Sequence, residues 1–439
     1  MFQTIVNAFK IKEVRNKILI TIALLFVYRL GCYIPVPGVH MFSGLQDYTF
    51  LQIMSAVSGG ALTYGTFFAM GIGPYINASI IIQLLTVGIP ALERLSKQGE
   101  EGKGQINTYT RILTLVLAIA QSIGSLVAVG GSSTVMLNEL FGEEVPFFSY
   151  AFLVIVYTAG AALTMWIGER ITDYGVSNGI SLLIFAGILS TAGTAILNLL
   201  KALGGSNPLT AMWTLIGFVL ITVVIFTAIV AVNDAERKIP VQYAKQVKGR
   251  KMYGGQSTHI PIKVNASGVM PLIFSFAILS LPDLIMNLFG LSTENSSFYA
   301  WWSTYMGTGS WLYSVVLCVF ILFFSYFYNQ IQFNPDDISK SIQGNGGFIP
   351  GTRPGKPTAD YLKKVSNRIT LFGAIFLALV ALIPSLLFKG LESGGVVAEG
   401  GLINVFSATG LLIIVSVALE FEQALQSQIM MKNYKGFLK

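Results

Sequence analysis

The chain has 439 residues, 53% of them hydrophobic and only 11% charged, with a formal net charge of +7. An ordinary soluble domain carries about 25% charged residues, so this composition excludes a water-soluble fold. Two cysteines and two histidines leave neither a disulfide framework nor a metal cluster, and no cofactor is expected.

Ten apolar runs follow one another: 18–28, 63–90, 112–130, 146–168, 180–200, 211–232, 266–281, 311–330, 369–388 and 402–419. A helix needs about 20 apolar residues to cross the hydrocarbon core. The first run reaches that length by borrowing 29–35, and the seventh continues past Asp283. Lys10, Lys12, Arg15 and Lys17 precede the first run, but no small-residue cleavage site follows before Pro35 and Pro37. The first span therefore reads as retained rather than cleaved. Arg29 lies late in that span and has two readings: a stem that snorkels to the interface, or a contact inside the bundle.

The second run begins irregularly. Gly59, Gly60, Gly65, Gly71 and Gly73 interrupt its first part, and Gly73-Pro74 then opens a clean stretch. Proline suits the first turn of a helix, where its missing N–H has no partner to lose. The pattern predicts a short apolar half-helix, a glycine break and a full span. Irregular backbone at membrane depth is tolerated only against protein or a water-filled cavity, so part of 60–72 is expected inside the protein. A surface hairpin outside the membrane is the alternative. Asn77, Ser79, Gln83 and Thr86 punctuate span two, and Gln121 and Ser122 span three. They serve either as interhelical glue or as the border of an intermittently wet path. None is charged, which argues against a proton- or cation-coupled carrier.

Charge sets the orientation. With the N-terminus inside and ten spans, the inside segments are 1–17, 91–111, 169–178, 233–265, 331–368 and 420–439. They hold 25 of the 28 Lys and Arg, as the positive-inside rule requires. Both termini are then cytoplasmic. Two of these loops, 233–265 and 331–368, are long, basic and rich in glycine and proline, which fix turns. They read as docking surfaces for an acidic protein or RNA. The stretch 351–356 (GTRPGK) only superficially resembles a phosphate loop, since Pro357 stands where the Ser/Thr should be. No catalytic constellation is evident, so an enzyme is not expected. A secondary active transporter of a small solute is the alternative function, although it explains only the span count.

Several stretches carry a family resemblance: 28–38 (YRLGCYIPVPG), 58–61 (SGGA), 68–86 (FAMGIGPYINASIIIQLLT), 168–172 (GERIT), 175–181 (GVSNGIS), 243–250 (YAKQVKGR), 256–265 (QSTHIPIKVN), 348–355 (FIPGTRPG) and the tail 434–437 (YKGF). In this order the chain resembles the SecY family, the large subunit of the bacterial protein-conducting channel, and its Gram-positive, Bacillus-type members in particular. The resemblance implies an all-α polytopic membrane protein. Its ten transmembrane helices would form two pseudo-symmetric five-helix halves, 1–200 and 201–439, in a clamshell around a central pore. It implies a pore ring of Ile76, Ile80, Ile184, Ile188, Ile273 and Ile413. Pairs such as 76/80 and 184/188 fit one helix face by their i,i+4 spacing. It further implies a plug at about 60–72, a short helix with Ala61, Leu62, Phe67, Phe68 and Met70 as its apolar surface. A lateral gate would run between spans two and seven, marked by Gln83, Thr86 and Pro271. Docking residues Arg250, Lys251, Arg353 and Lys356 would meet a SecA motor ATPase or a translating ribosome. Position 251 is lysine where some relatives carry a second arginine, so attraction is expected there without a bidentate fork. The other implied partners are a SecE-like small membrane subunit, a SecG-like subunit, signal peptides, unfolded preproteins and membrane lipid. The location implied is the bacterial cytoplasmic membrane.

Overall fold

The computed structural model describes residues 2–37, 39, 51, 54–55, 58–129, 146–202, 208–243, 246–248, 251–253, 257–265, 268–289, 296–307, 310–393 and 408–436. Each of the ten apolar runs contains a helix. In chain order the spans are Lys12–Gly31, Gly73–Gly88, Glu100–Val129, Pro146–Tyr174, Gly179–Ala202, Pro208–Asp234, Met270–Leu288, Trp311–Gln332, Lys356–Ser393 and Ala408–Gly436. Among the described residues four helices are long and apolar enough by themselves to cross a bilayer. Span two makes a fifth when joined to the next helix, Pro90–Ser96, from which it is bent by 105°. That bend falls at Ile89, whose extended backbone precedes Pro90, as the residue before a proline prefers.

Contacts sort the spans into two groups. In the first half span three lies against two and four, span four against five, and span one against four and five. In the second half span eight lies against seven and nine, and span ten against six and nine. The groups meet along two seams. At one, span seven packs on spans two and three; at the other, span ten packs on span five. This is a ten-helix clamshell.

Both long basic loops depart from the expectation of turns alone. Strand β1 (Glu236–Tyr243) and the short β2 (Gln246–Lys248) and β3 (Lys251–Tyr253) lead into β4 (Ser257–Lys263). β1 and β4 pair antiparallel from Glu236↔Lys263 to Gln242↔Ser257. From the other loop β5 (Gly347–Phe348) joins the free edge of β1 at Gln242↔Phe348. The two loops are thus one three-stranded sheet, ordered β4-β1-β5. Ile239, Val241 and Ile262 point from its inner face into a small core with Ile342, Ile349 and Leu362. Period-two alternation with one buried face is the physical cause, and it prevailed over the glycine and proline content.

The sheet is fastened to the bundle. The Val264 amide donates to the Ala235 carbonyl at 2.9 Å. Asn265 donates to Asn233 at 2.7 Å, and Asn233 to Ser416 on span ten at 3.2 Å. Where β4 turns into span seven, its backbone presses on span nine: a Cβ placed on Gly373 would lie 2.5 Å from the Val264 carbonyl oxygen. Overpacking of this kind costs about 1–3 kcal/mol. Gly373→Ala should therefore lower the thermal midpoint in detergent. Gly217→Ala is the control, since it meets nothing within 4 Å and gains about 1 kcal/mol of helix propensity. Equal midpoints for the two variants would refute the close approach.

Candidate functional site

Between the half-shells lies the segment 59–72, and it is not the half-helix expected. Leu51, Met54, Ser55 and Ser58 are helical, whereas 59–72 is a succession of turns. The reason is local: Gly59, Gly60, Gly65 and Gly71 all adopt positive φ, where an α-helix cannot continue. The alternative, a hairpin outside the protein, fails as well. Ala61, Leu62 and Met70 are each 1% exposed and Phe68 is 5% exposed; Phe67 is half-buried.

A buried irregular backbone must find its hydrogen bonds inside the protein. Three amides close turns: Gly65 on Leu62 at 3.0 Å, Ala69 on Thr66 at 3.0 Å, and Gly71 on Phe68 at 2.9 Å. The Thr66 hydroxyl donates to the Ala61 carbonyl at 3.0 Å. Two further bonds reach the chain after span one: Val36 N–H to the Gly65 carbonyl at 3.1 Å, and Phe67 N–H to the Ile34 carbonyl at 3.0 Å. The segment is thereby stitched to the end of span one.

Side chains complete the seat. The Phe68 ring stacks on Tyr28 of span one with centroids 5.7 Å apart. The Phe67 carbonyl rests on Gly160 of span four, where an added Cβ would come within 2.0 Å of it. Arg29 settles between its two readings as a contact inside the bundle. Its guanidinium donates to the Ser190 hydroxyl of span five and lies over the Tyr33 ring at 5.5 Å. It also abuts Gly59, whose φ of +71° and crowding by Arg29 and the Gly187 carbonyl admit no side chain.

The segment straddles two apolar clusters. Leu62 and Met70 join Leu126, Leu153, Tyr157, Ala161 and Leu284. Ala61 and Phe68 join the main core, which also contains Ile184, Ile188 and Ile413, with Ile76 and Ile273 packed against it. Five of the six residues named for a ring thus share one core with the segment. Ile80 goes elsewhere: it is 2% exposed and packs with Phe274 of span seven and Phe324 of span eight, with Ile76 alongside.

That second grouping is the seam between spans two, seven and eight. Phe274 meets Phe324 edge-on at 5.8 Å and Tyr328 at 6.1 Å, while Phe320 and Phe327 flank Phe324 at 6.2 and 6.4 Å. The seam residues Gln83, Thr86 and Pro271 are quieter. The Thr86 hydroxyl donates to the Gln83 carbonyl in its own helix at 2.7 Å. The Gln83 Oε1 is buried without a hydrogen-bond partner among the described residues. Pro271 is buried, and its carbonyl accepts from Ser275 at 2.6 Å. The aromatic set was missed from the sequence, although 320, 324 and 327 repeat at i, i+4 and i+7 on one face. Gln121 and Ser122 are fully buried, and their side chains also find no partner among the described residues.

On the sheet side, Arg353 and Lys356 are exposed. Arg353 sits in the turn after β5, between Gly351 and Gly355, both at positive φ. Its carbonyl accepts from the Thr358 hydroxyl at 2.8 Å, and Ser339 holds the Gly355 carbonyl at 2.7 Å. Arg250 and the side chain of Lys251 lie outside the described residues. No group of three or more metal-ligating side chains occurs among the described residues.

Two five-helix groups closing on an irregular buried segment, with a basic sheet over one end, define a helical membrane protein of channel architecture. Residues 66–422 match the SecY family model. The chain is 41% identical to protein translocase subunit SecY of Streptomyces griseus over the full length of both. It is 42% identical to that of Corynebacterium glutamicum over 99% of each chain, and 39% identical to that of Mycobacterium tuberculosis over the full length of both. The chain belongs to the SecY family. Its fold matches a solved protein conducting channel with a TM-score of 0.67 at 22% identity, covering 94% of this chain and 92% of that one. It matches Sec61 in a canine ribosome-channel complex with a TM-score of 0.60 at 19% identity, again over 94% and 92%. Family membership sets aside the small-solute carrier.

The close contact at Gly160 can be tested directly. Gly160→Ala should push the Phe67 backbone from span four at a cost of about 1–3 kcal/mol, which lowers protection from local opening by about tenfold. Amide hydrogen exchange across 61–70 reads this, and unchanged exchange would refute the contact.

Proposed function

We propose that this chain forms the pore through which a translocase of the bacterial cytoplasmic membrane threads unfolded secretory polypeptides and releases apolar segments sideways into lipid. The observation that carries the reading is the buried segment 59–72, held between the half-shells by its own turns and by the end of span one. It is a removable stopper, the plug, with Ala61, Leu62, Phe67, Phe68 and Met70 as its apolar surface. Beneath it Ile76, Ile184, Ile188, Ile273 and Ile413, with Ile80 at their border, form the constriction. Branched apolar side chains exclude water and ions yet offer a passing chain nothing to bind. They also part and reclose without breaking hydrogen bonds.

Sideways release uses the seam of spans two and seven. Ile80, Phe274 and Phe324 close it by apolar contact, and Gln83, Thr86 and Pro271 border it. A signal helix entering there replaces one apolar partner with another and gains roughly 25 cal/mol per Å² of apolar surface taken from water. A polar chain gains nothing and continues lengthwise. The halves are 1–200 and 201–439, both termini are cytoplasmic, and the seam of spans five and ten acts as the hinge.

The basic sheet is the docking platform. Solved relatives include Sec61 in a ribosome-channel complex and a yeast Ssh1 complex bound to the 80S ribosome. In this chain Arg353, with Arg250, Lys251 and Lys356, receives a SecA-type motor or the ribosome. A guanidinium offers a fork that matches carboxylate or phosphate. A SecE-like subunit clamps the two halves, and a SecG-like subunit accompanies it.

Two variant sets test this reading in reconstituted membranes. Replacing Ile76, Ile80 and Ile273 together with serine should raise ion conductance through resting channels; a conductance equal to that of the native chain would remove the constriction. Arg353→Glu should leave the melting profile unchanged and abolish motor-driven transport, because the residue is exposed and its side chain makes no hydrogen bond or ion pair among the described residues. Normal transport by that variant would exclude Arg353 as a docking contact.

A further inference from the structure

A short helix, Ser297–Met306, bridges spans seven and eight at the end of the bundle opposite the basic sheet. Its sequence, SFYAWWSTYM, contains no charged residue. One face is built into the protein. Tyr299 and Met306 are buried, and Trp302 packs on the main core. The Trp302 indole Nε1 donates to Asp283 Oδ1 of span seven at 2.6 Å.

The other face is aromatic and uncovered. Phe298, Trp301 and Tyr305, spaced i, i+3 and i+7, are 58, 48 and 51% exposed. Their rings form a ladder, with centroids 6.2 Å apart from Phe298 to Trp301 and 5.7 Å from Trp301 to Tyr305. A helix facing water carries charge on its outer side, and this one carries none. A helix buried in hydrocarbon would leave the Tyr305 hydroxyl and the Trp301 indole N–H in a medium that offers them no partner, whereas the Thr304 hydroxyl already donates to the Ala300 carbonyl at 2.8 Å. Rings with a polar tip prefer the level of the lipid headgroups.

The neighbouring surface agrees. On span eight Trp311, Val315, Val319 and Phe323 are exposed at i, i+4, i+8 and i+12, a stripe that faces lipid and ends at Trp311. On span seven Ile285 and Phe289 are exposed in the same way. The ladder continues this lipid-facing surface at the bundle's rim.

We propose that Ser297–Met306 is an interfacial anchor. Its Phe298–Trp301–Tyr305 ladder lies in the headgroup–acyl boundary of the leaflet opposite the basic sheet, and Trp302 and Asp283 tie the end of span seven to that leaflet. Pro282, inside span seven, removes one helical hydrogen bond immediately before the tied residue. The part of span seven that carries Ile273 and Phe274 can swing there while its end stays held.

The test places a nitroxide on Thr304→Cys, exposed on the ladder face, in a chain with Cys32→Ala and Cys318→Ala. The purified channel complex is reconstituted in phosphatidylethanolamine–phosphatidylglycerol vesicles. The anchor requires the label to collide more with oxygen than with a water-soluble nickel chelate. More collision with the chelate means a water-facing helix and overturns the proposal. Low collision with both means that a protein subunit covers the face and overturns it equally. Adding Trp302→Phe should sharpen the nitroxide line shape as the helix loosens, and an unchanged line shape removes the tie to span seven. If the cysteine-free chain does not accumulate, the native channel and Trp301→Phe are compared for tryptophan quenching by phospholipid brominated near the headgroup. The variant should lose part of the quenchable fluorescence, and an equal quenchable fraction overturns the anchor.

Discussion

A backbone that is neither helix nor sheet cannot be left inside a membrane bundle unless its polar groups are met by protein. The stretch 59–72 lives under that constraint, and much of the surrounding architecture follows from it. Its amides and carbonyls close on one another and on Ile34 and Val36, so span one must end where it does and its outgoing strand must run alongside. Its turns need glycine, and its passage past span four needs Gly160. Gly65, Ala69 and Gly71 bond within the segment, and only Val36 N–H and Phe67 N–H tie it to the end of span one, so on the proposed role it would leave its seat with those turns kept.

The main core and the seam of spans two, seven and eight differ in chemistry. The residues Ile184, Ile188 and Ile413 are aliphatic, within a core that also holds Tyr28 and Phe68, whereas at the seam of spans two, seven and eight Ile80 packs against the rings of Phe274 and Phe324. Aliphatic branches slide past one another with little geometric preference. Edge-on rings lose a specific geometry, about 0.5–1.5 kcal/mol beyond area burial, when they separate. On the proposed roles, lengthwise passage and sideways opening would be resisted by different contacts, and substitutions would alter one with little effect on the other.

Much of this was legible in the sequence. Ten spans follow from apolar length, because lipid enforces that rule strictly. The break before Pro74 was readable because glycine and proline have fixed backbone meanings. Its form was not, since the same glycines permit either a broken helix or a chain of turns, and only tertiary bonds choose. The basic sheet was hidden by its own punctuation, although Ile239 with Val241 and Ile260 with Ile262 alternate as strands should. Ile76 and Ile80 do lie side by side, as their spacing implies, but Ile80 also reaches rings of spans seven and eight. Which neighbour it faces depends on where span eight lies, and no pattern within span two records that. Arg29 likewise found Ser190, 161 residues away.

The strand β1 begins two residues beyond span six, β4 ends at the approach to span seven, and β5 precedes span nine by the short turn-rich stretch that carries Arg353. A load applied at the Arg353 tip is therefore shared by three helix ends through one hydrogen-bonded yoke. If Arg353 receives a motor as proposed, a push on that tip would reach spans six, seven and nine together rather than any one helix, and the motor would need no grip on the pore wall.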